Sequence, residues 1–256
     1  MDYLVFRLYG AMASWGEIAV GESRHSTTHP SKSAIFGLMA AAIGIKREDE
    51  QQQLELAAGY HIAVKQLTNG TLLKDYHTTQ APDSVGKFTY KTRRDELTLG
   101  YERLGTVLSS REYRTDSVCL VAIKVLDDAP YELTNIQQKL LKPVFHLYLG
   151  RKSCPLSAPL DPQIITGQGY KNALDGYDNK AILPDNSTTG RNKQALALSE
   201  PAQYYWEGEL TDLDNDIELQ MIQTNSRYDQ ISSRKRWQFK PRLEHSYQEP
   251  PQKESA

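Results

Sequence analysis

The chain has 256 residues, which is enough for one large domain or for one domain with a smaller lobe. Its 30 Lys and Arg residues nearly balance its 32 Asp and Glu residues, and the net charge is −2. This balance excludes a protein that binds polyanions through a strong overall positive field, so any nucleic-acid site must be local. Cys119 and Cys154 form no CxxC pair, so the sequence provides neither a disulfide framework nor a cysteine zinc site.

The two ends of the chain are polar or only briefly apolar. Residues 1–8 lack the basic start and long apolar run of a signal peptide, and about 18 consecutive apolar residues occur nowhere. We therefore expect a soluble, cytoplasmic protein that makes no membrane contact. Residues 249–256 are polar and contain proline, so we expect a disordered tail.

The elements of the first half follow from apolar periodicity. Residues 3–9 alternate as a strand, and apolar residues at helical spacing predict a helix over 33–43. Residues 60–67 alternate imperfectly as a second strand. The dipeptide Asn69-Gly70 favours a tight hairpin, so we predict that 60–67 pairs with 71–77.

The second half opens with a polar, irregular stretch over about 78–116, which we interpret as an excursion from the sheet. The apolar run 118–125 predicts a central strand, and 131–141 predicts a second helix. Beyond residue 150, frequent Pro and Gly residues argue against long helices and predict loops and short strands.

The order of these elements fits an α+β fold, namely a ferredoxin-like sandwich of the kind that RNA-recognition domains use. We predict a ferredoxin-like domain over 1–155 that contains the long insertion at about 78–116. A smaller strand- and loop-rich C-terminal region follows over 156–248, before the tail.

Cations and aromatic residues are mixed in the segment 87–94, which holds no acidic residue. Cations bind phosphates and aromatic rings stack on unpaired bases, so this mixture is typical of a single-stranded RNA site. The same composition also fits a solvated loop. The candidate cations are Lys87, Lys91, Arg93 and Arg94.

Two further segments are rich in cations. In 227–242, basic residues surround aromatic ones; they are Arg234, Lys235, Arg236, Lys240 and Arg242 around Tyr228, Trp237 and Phe239. In 149–154, Arg151 and Lys152 follow a glycine, where the backbone can approach a ligand closely. By contrast, 207–218 holds six acids and no base, which fits either a solvated face or a surface that repels nucleic acid.

The loop 24–33 precedes the predicted helix, whose free amide groups and positive dipole end can hold a phosphate. Arg24 opens this loop, and Ser31, Lys32 and Ser33 add donors at its end. Serine here is also an ordinary N-cap, so both roles stay open. No GxxxxGK[ST] motif occurs, and nucleotide hydrolysis has no support.

Six histidines make acid–base chemistry conceivable, and His77 is the best local candidate for a metal-independent ribonuclease. A histidine at such a position more often forms hydrogen bonds or stacks, and the sequence gives His77 no definite partner. HExxH, GxSxG and metal-ligand spacings are absent, so we expect no metal, no cofactor and no catalysis. Cys119 lies in an apolar run and is most simply a packed small hydrophobe.

Five blocks of the sequence resemble motifs of a known family, in the family's order. Residues 4–16 resemble its "LxLxGPxxSWG" start, 29–45 its "PTKSGxxGLLxAxLGI" helix, and 75–78 its "DYHT" motif. Residues 108–116 resemble "LSxRxYxxD", and 147–156 resemble "YLGRRSCPL". The chain thus resembles the Cas-five family of CRISPR-associated proteins, in the form found in subtype I-E Cascade.

The resemblance implies a thumb-like insertion that binds the 5′ handle of the crRNA and helps displace a nucleotide at the handle–spacer junction. It also implies two protein partners, the backbone subunit and the large PAM-reading subunit of Cascade, with target DNA reached indirectly through the complex. The residues that match family motifs and are implied to contact RNA are Lys32, Ser33, Tyr76, His77, Ser109, Arg111, Tyr113, Arg151 and Lys152.

Two other functions stay open. Members of the related subtype I-C cleave pre-crRNA, so a metal-independent endoribonuclease is one alternative. A scaffold that contacts only proteins is the other. The sequence departs from the family pattern at Gly10-Ala11, where Gly-Pro is usual, and its thumb interior matches poorly, so the cations of 87–94 rest on composition alone.

Overall fold

Two β-sheets and five α-helices make up the computed structural model, which describes residues 1–19, 21–83, 89–98, 101–178 and 201–250. The helices are α1 (Lys32–Ile43), α2 (Glu50–Ala58), α3 (Arg93–Thr98), α4 (Leu133–Leu141) and α5 (Tyr170–Asp175). The strands are β1 (Asp2–Tyr9), β2 (Met12–Ala13), β3 (Ser23–Arg24), β4 (Tyr60–Thr68), β5 (Thr71–Pro82), β6 (Leu104–Thr115), β7 (Val118–Val125), β8 (Gln163–Thr166), β9 (Gln203–Trp206), β10 (Gln223–Ser233) and β11 (Gln238–Gln248). The fold is therefore mixed α and β.

The larger sheet has seven strands in the order β10-β11-β9-β4-β7-β1-β8, and all its neighbouring strands are antiparallel. Its two faces bury separate apolar clusters. Leu4 and Phe6 of β1 pack with α1, α2 and α4, whereas Tyr3 and Val5 pack with α5 and β9. A strand that is buried on both faces is apolar along its whole length, which explains the sequence of β7 and confirms the central strand predicted over 118–125.

The helix predicted over 33–43 is confirmed as α1, and its boundaries follow from its caps. The Ser31 hydroxyl accepts a hydrogen bond from the Ala34 amide, and Gly44 ends the helix in the left-handed conformation with φ +99°. The predicted second helix is α4, which buries Leu133 and Ile136. Helix α2 was not predicted, because its sequence Glu-Gln-Gln-Gln-Leu-Glu-Leu-Ala-Ala carries a weak apolar stripe.

The predicted pairing of 60–67 with 71–77 is wrong. The chain does turn at Gly70, where φ is +61° and a Cβ would lie 2.0 Å from the Thr115 carbonyl oxygen. However, β4 pairs with β7 on one edge and with β9 on the other, so neither edge is free for β5. The Asn-Gly signal marks a reversal of the chain but does not determine which strand comes to lie beside it.

The second sheet is built on β6. Strands β5 and β6 form a hairpin of twelve registered pairs, so the stretch interpreted as irregular over 78–116 begins and ends in regular strand, and the hairpin starts earlier, at Thr71. Strand β2 pairs with β6 antiparallel, and β3 pairs with β6 parallel, which brings residues 23 and 24 beside the hairpin.

The strands after residue 150 are partly longer than predicted. Strands β8 and β9 have four residues each, but β10 and β11 have eleven each, because the turn residues that break the chain are concentrated before residue 200. Strands β8, β9 and β11 lie in the same sheet as β1 and β4. The domain division at 155 stays a prediction, and residues 251–256 of the predicted tail lie outside the described residues.

Candidate nucleic-acid interface

One face of the β5–β6 hairpin carries four of the nine residues that match family motifs. Residues directly opposite each other in an antiparallel ladder share a face, and successive residues alternate. His77 lies opposite Ser109, Asp75 opposite Arg111, and residue 73 opposite Tyr113, so all of these point to the same side. The structure thus brings together residues separated by more than thirty positions.

Tyr76 lies on the opposite face of the hairpin, where it pairs with Ser110. Its side chain is 64% exposed, which leaves the ring available for stacking. Tyr113, by contrast, is buried and belongs to the main apolar cluster. Of the two predicted tyrosines, Tyr76 is therefore the accessible one.

Arg24 and Arg111 are neighbours across the parallel β3–β6 pair. The Arg24 guanidinium donates to the carbonyl oxygen of its neighbour Ser23 at 3.2 Å. Within the described part of the chain, the Arg111 side chain has no hydrogen-bond acceptor and no ion pair, and Asp75 across the ladder instead pairs with His77. Two cations thus lie side by side, and among the described residues neither forms an ion pair.

Arg151 joins these cations from the 145–151 loop. Its guanidinium carbon lies 5.0 Å from the centroid of the Tyr113 ring, a cation–π contact. Its Nη1 atom is buried and has no hydrogen-bond partner among the described residues. Gly150 has φ +82°, and a Cβ there would lie 1.9 Å from the Ser14 carbonyl oxygen, so only glycine lets this loop approach so closely. Lys152 is exposed beside it.

Lys32 is engaged elsewhere. Its ammonium group pairs with the Glu207 carboxylate at 2.9 Å with both side chains buried, and its backbone amide donates to Asp229 at 2.7 Å. Burial lowers the pKa of Lys32, although the charge of Glu207 acts in the opposite direction. The Lys32 ammonium group is therefore engaged with a carboxylate, and the geometry gives no support to a phosphate contact there. The alternative N-cap role is confirmed for Ser31, and the Ser33 hydroxyl lies 3.1 Å from that of Ser31.

The cations near the far end of the hairpin are less organised. Lys91 and Arg94 are exposed, whereas Arg93 pairs with Glu96 and also donates to the Gln80 carbonyl oxygen. Lys87 lies outside the described residues. Both the RNA-binding interpretation and the solvated-loop interpretation of this segment stay predictions.

A groove of about 970 Å³ runs from this cation cluster across α1 to the turn between β10 and β11. It is bounded by α1, by residues within 14–19 and 24–25, by the 145–151 loop, and by the β10–β11 turn. Its basic and aromatic lining residues include Arg24, Arg47, Arg151, Arg234, Tyr148, Tyr228 and Trp237. Arg47 was not predicted, because acidic residues follow it in sequence and hide it from a search for one-sided charge.

Two arginines of the segment 227–242 form ion pairs inside the protein. Arg242 pairs with Asp229 and with Glu244 at 2.6 Å each, and Arg227 pairs with Glu244 at 3.2 Å. Burial alone raises the pKa of Glu244, but the His29 contact and the two arginines hold that pKa well below its usual range. These arginines tie the C-terminal hairpin to the loop before α1 and are not free for RNA.

The described residues contain no cluster of His, Cys, Asp or Glu that could hold a metal ion. None of the helices in the described ranges combines the length and the apolar character that crossing a membrane requires.

Known proteins resemble this chain along most of its length. The model of the family described as "CRISPR-associated protein (Cas_Cas5)" matches residues 3–243. The CRISPR system Cascade subunit CasD of Escherichia coli (strain K12) is 29% identical over 210 residues, which cover 78% of this chain and 88% of CasD. A chain of a solved CRISPR RNA-guided surveillance complex is 19% identical with a TM-score of 0.58, over 97% of this chain and 90% of that one. A solved Cas protein is 21% identical with a TM-score of 0.55, over 97% and 95%.

Proposed function

Because the chain belongs to the CRISPR-associated Cas5 family, we propose that it is the RNA-binding subunit of a type I-E Cascade complex and caps the crRNA 5′ handle. The family assignment confirms the resemblance found in the sequence motifs. In this proposal the subunit is cytoplasmic and non-catalytic, and it supports crRNA-guided recognition of DNA in antiviral defence.

The observation that carries the proposal is that Arg24 and Arg111 lie beside each other in the β3–β6 register. Arg151 adds a third cation, which lies over the ring of Tyr113, and Tyr113 is two residues from Arg111 on the same face of β6. Cations held close together repel each other unless an anion lies between them. A strand of RNA supplies such anions at each phosphate, and arginine binds phosphate with two parallel hydrogen bonds.

The β5–β6 hairpin is proposed to be the thumb that clasps the handle. It leaves the seven-stranded sheet between β4 and β7, and Tyr76 exposes its ring on the face opposite Arg111. The exposed ring can stack on a base, and the cations on the other face can bind phosphates, so an RNA strand can bend around the hairpin. One base would leave the RNA stack at the handle–spacer junction.

The core that carries this hairpin is proposed to be ferredoxin-like. The strand order β8-β1-β7-β4, with α1 between β1 and β4 and α4 between β7 and β8, supports this assignment. Strand β9 and the β10–β11 hairpin extend the sheet beyond that unit.

Contacts with the Cascade backbone subunit and large subunit are part of the proposal. Exposed apolar side chains on both faces of the hairpin support them, since such residues are usually covered in an assembly. Leu72 is 47% exposed on the Tyr76 face, and Val107 is 53% exposed on the Arg111 face.

The direct test is binding of RNA that contains the handle by the R24Q/R111Q variant. We expect weaker binding and a shallower dependence on salt, by about 0.7 in the logarithmic slope for each phosphate of a single strand that the variant no longer neutralises. The K139Q/K142Q variant, which removes two charges on and just after α4 from residues that do not line the groove, is the matched control. Equal affinity and slope in both variants would refute the proposed grip and favour a scaffold that contacts only proteins.

A metal-independent endoribonuclease is the second candidate, and one contact favours it. The structure gives His77 the partner that the sequence did not, since its ring pairs with the Asp75 carboxylate opposite Arg111. A histidine oriented by a carboxylate can serve as a general base. Specific cleavage of repeat RNA by the pure chain in EDTA, abolished in H77A, would establish this activity; we expect the RNA to stay intact.

A further inference from the structure

Trp237 lies at the turn between β10 and β11 in an uncommon conformation. It is 57% exposed and has φ +52°, which a bulky residue rarely adopts. The guanidinium carbon of Arg47 lies 3.8 Å from the centroid of its ring, and that of Arg234 lies 5.3 Å away. The indole ring thus contacts two guanidinium groups whose residues are far apart in the sequence.

The positive charges of the Arg47 and Arg234 guanidinium groups repel each other. Burial lowers the pKa of Arg234, and the charge of Arg47 lowers it further. Gly37 of α1 makes room for Arg234, because a Cβ there would lie 3.2 Å from its Nη2 atom. Among the described residues no carboxylate forms an ion pair with Arg47 or Arg234. Arg234 donates to the Ser33 carbonyl oxygen at 3.5 Å, and Tyr148 acts on its pKa in the direction opposite to Arg47.

We infer that Arg47 and Arg234 form a subsite for one backbone phosphate of an RNA strand, with Trp237 as the residue that positions both. This inference rests on the proposed function and extends it to the far end of the groove. An anion between the two guanidinium groups offsets their repulsion, and arginine is well suited to phosphate.

The groove connects this subsite to the hairpin. Arg24 and Arg151 line one end of it, and Arg47, Arg234 and Trp237 line the other. A single strand that is bound at the hairpin can therefore continue across α1 and place a later phosphate between Arg47 and Arg234. Of the basic residues in 227–242, Arg234 then contacts the phosphate, while Arg227 and Arg242 hold the hairpin in place.

The test measures the affinity of the full chain for RNA that contains the handle over a series of salt concentrations. For R47Q/R234Q we expect about 10-fold weaker binding, as for removal of a hydrogen bond to a charged group, and a slope shallower by about 0.7. W237A should weaken binding in the same way although it removes no charge, and W237F should restore it. K139Q/K142Q is again the control for net charge.

Three outcomes overturn the inference. If R47Q/R234Q binds RNA with the affinity and salt slope of the control while R24Q/R111Q binds more weakly, the subsite does not exist but the proposed grip by the hairpin still holds. Unchanged RNA affinity with failed assembly into Cascade would assign the surface to a protein partner instead. Failure of the unaltered chain to bind handle RNA would refute the proposed function, and this inference with it.

Discussion

The Nζ atom of Lys32 lies 2.9 Å from the carboxylate of Glu207, and both side chains are buried. The contact joins the first turn of α1 to the end of β9, two elements that are far apart in sequence. The two charges neutralise each other inside the protein, so Lys32 stabilises the groove wall and does not bind an anion.

We predict that K32M destabilises the protein by about 3–5 kcal/mol, because it leaves the Glu207 carboxylate buried without its partner. The double variant K32M/E207Q should recover a large part of that stability. Urea unfolding followed by circular dichroism measures both values. A K32M variant that is as stable as the parent but binds RNA with a shallower salt slope would return Lys32 to the RNA site.

Stability should decrease as the pH falls, in two steps. Burial lowers the pKa of His29 below its usual value near 6.5, so below that pH the unfolded chain binds a proton that the folded chain does not. The depressed pKa of Glu244 adds a second decrease below about pH 4.5, for the same reason. Thermal melts from pH 8 to about pH 2 measure the profile.

The variant H29Q isolates the first of these steps. We expect it to flatten the profile between pH 7 and pH 5 and to leave the fall at lower pH. An unchanged profile in H29Q would show that another group causes the first step.

Gly150→Ala should destabilise the protein by about 1–3 kcal/mol from its positive φ alone, with a further decrease from the clash with the Ser14 carbonyl oxygen. Since the 145–151 loop carries Arg151, binding of handle RNA should weaken as well. Gly105→Ala on the hairpin is the matched control, because its Cβ would make an ordinary contact at 3.8 Å. Equal melting temperatures for the two variants would contradict the close approach seen at Gly150.

Combining R111Q with K91Q, R93Q and R94Q should lower the retention of guide RNA further and flatten its salt dependence, because fewer phosphate counterions are released. Arg93 pairs with Glu96, so we expect R93Q alone to have the smallest effect of the four. Filter binding at about 150 mM salt, with K139Q/K142Q as reference, measures retention. No difference from R111Q alone would assign these cations to a solvated loop.

Local signals in the sequence predict local structure well. Helix α1 was predictable because its apolar spacing, its Ser31 cap and its terminal glycine agree. Strand β7 was predictable because burial on both faces leaves an uninterrupted apolar run. The partner of β5 was not, since a turn signal specifies a reversal but carries no information about competing strand edges.

The site was predictable to the extent that motifs mark it. Arg111 and Arg151 lie in blocks that resemble the family, and the structure brings them from opposite sides of Tyr113 in sequence to the same end of the hairpin. Composition could not reveal that carboxylates neutralise Lys32 and Arg242 from 175 and 13 positions away, respectively. Nor could it reveal that Arg47 contacts Trp237.

The way in which the hairpin is attached has a consequence for how this protein can evolve. Strand β5 begins three residues after the end of β4, β7 begins three residues after the end of β6, and β4 and β7 are paired neighbours. Each added pair of residues would extend the hairpin by about 3.3 Å without moving its base. Natural variation can therefore alter the reach of this hairpin, and with it the length of RNA that it spans, while the buried sheet stays unchanged.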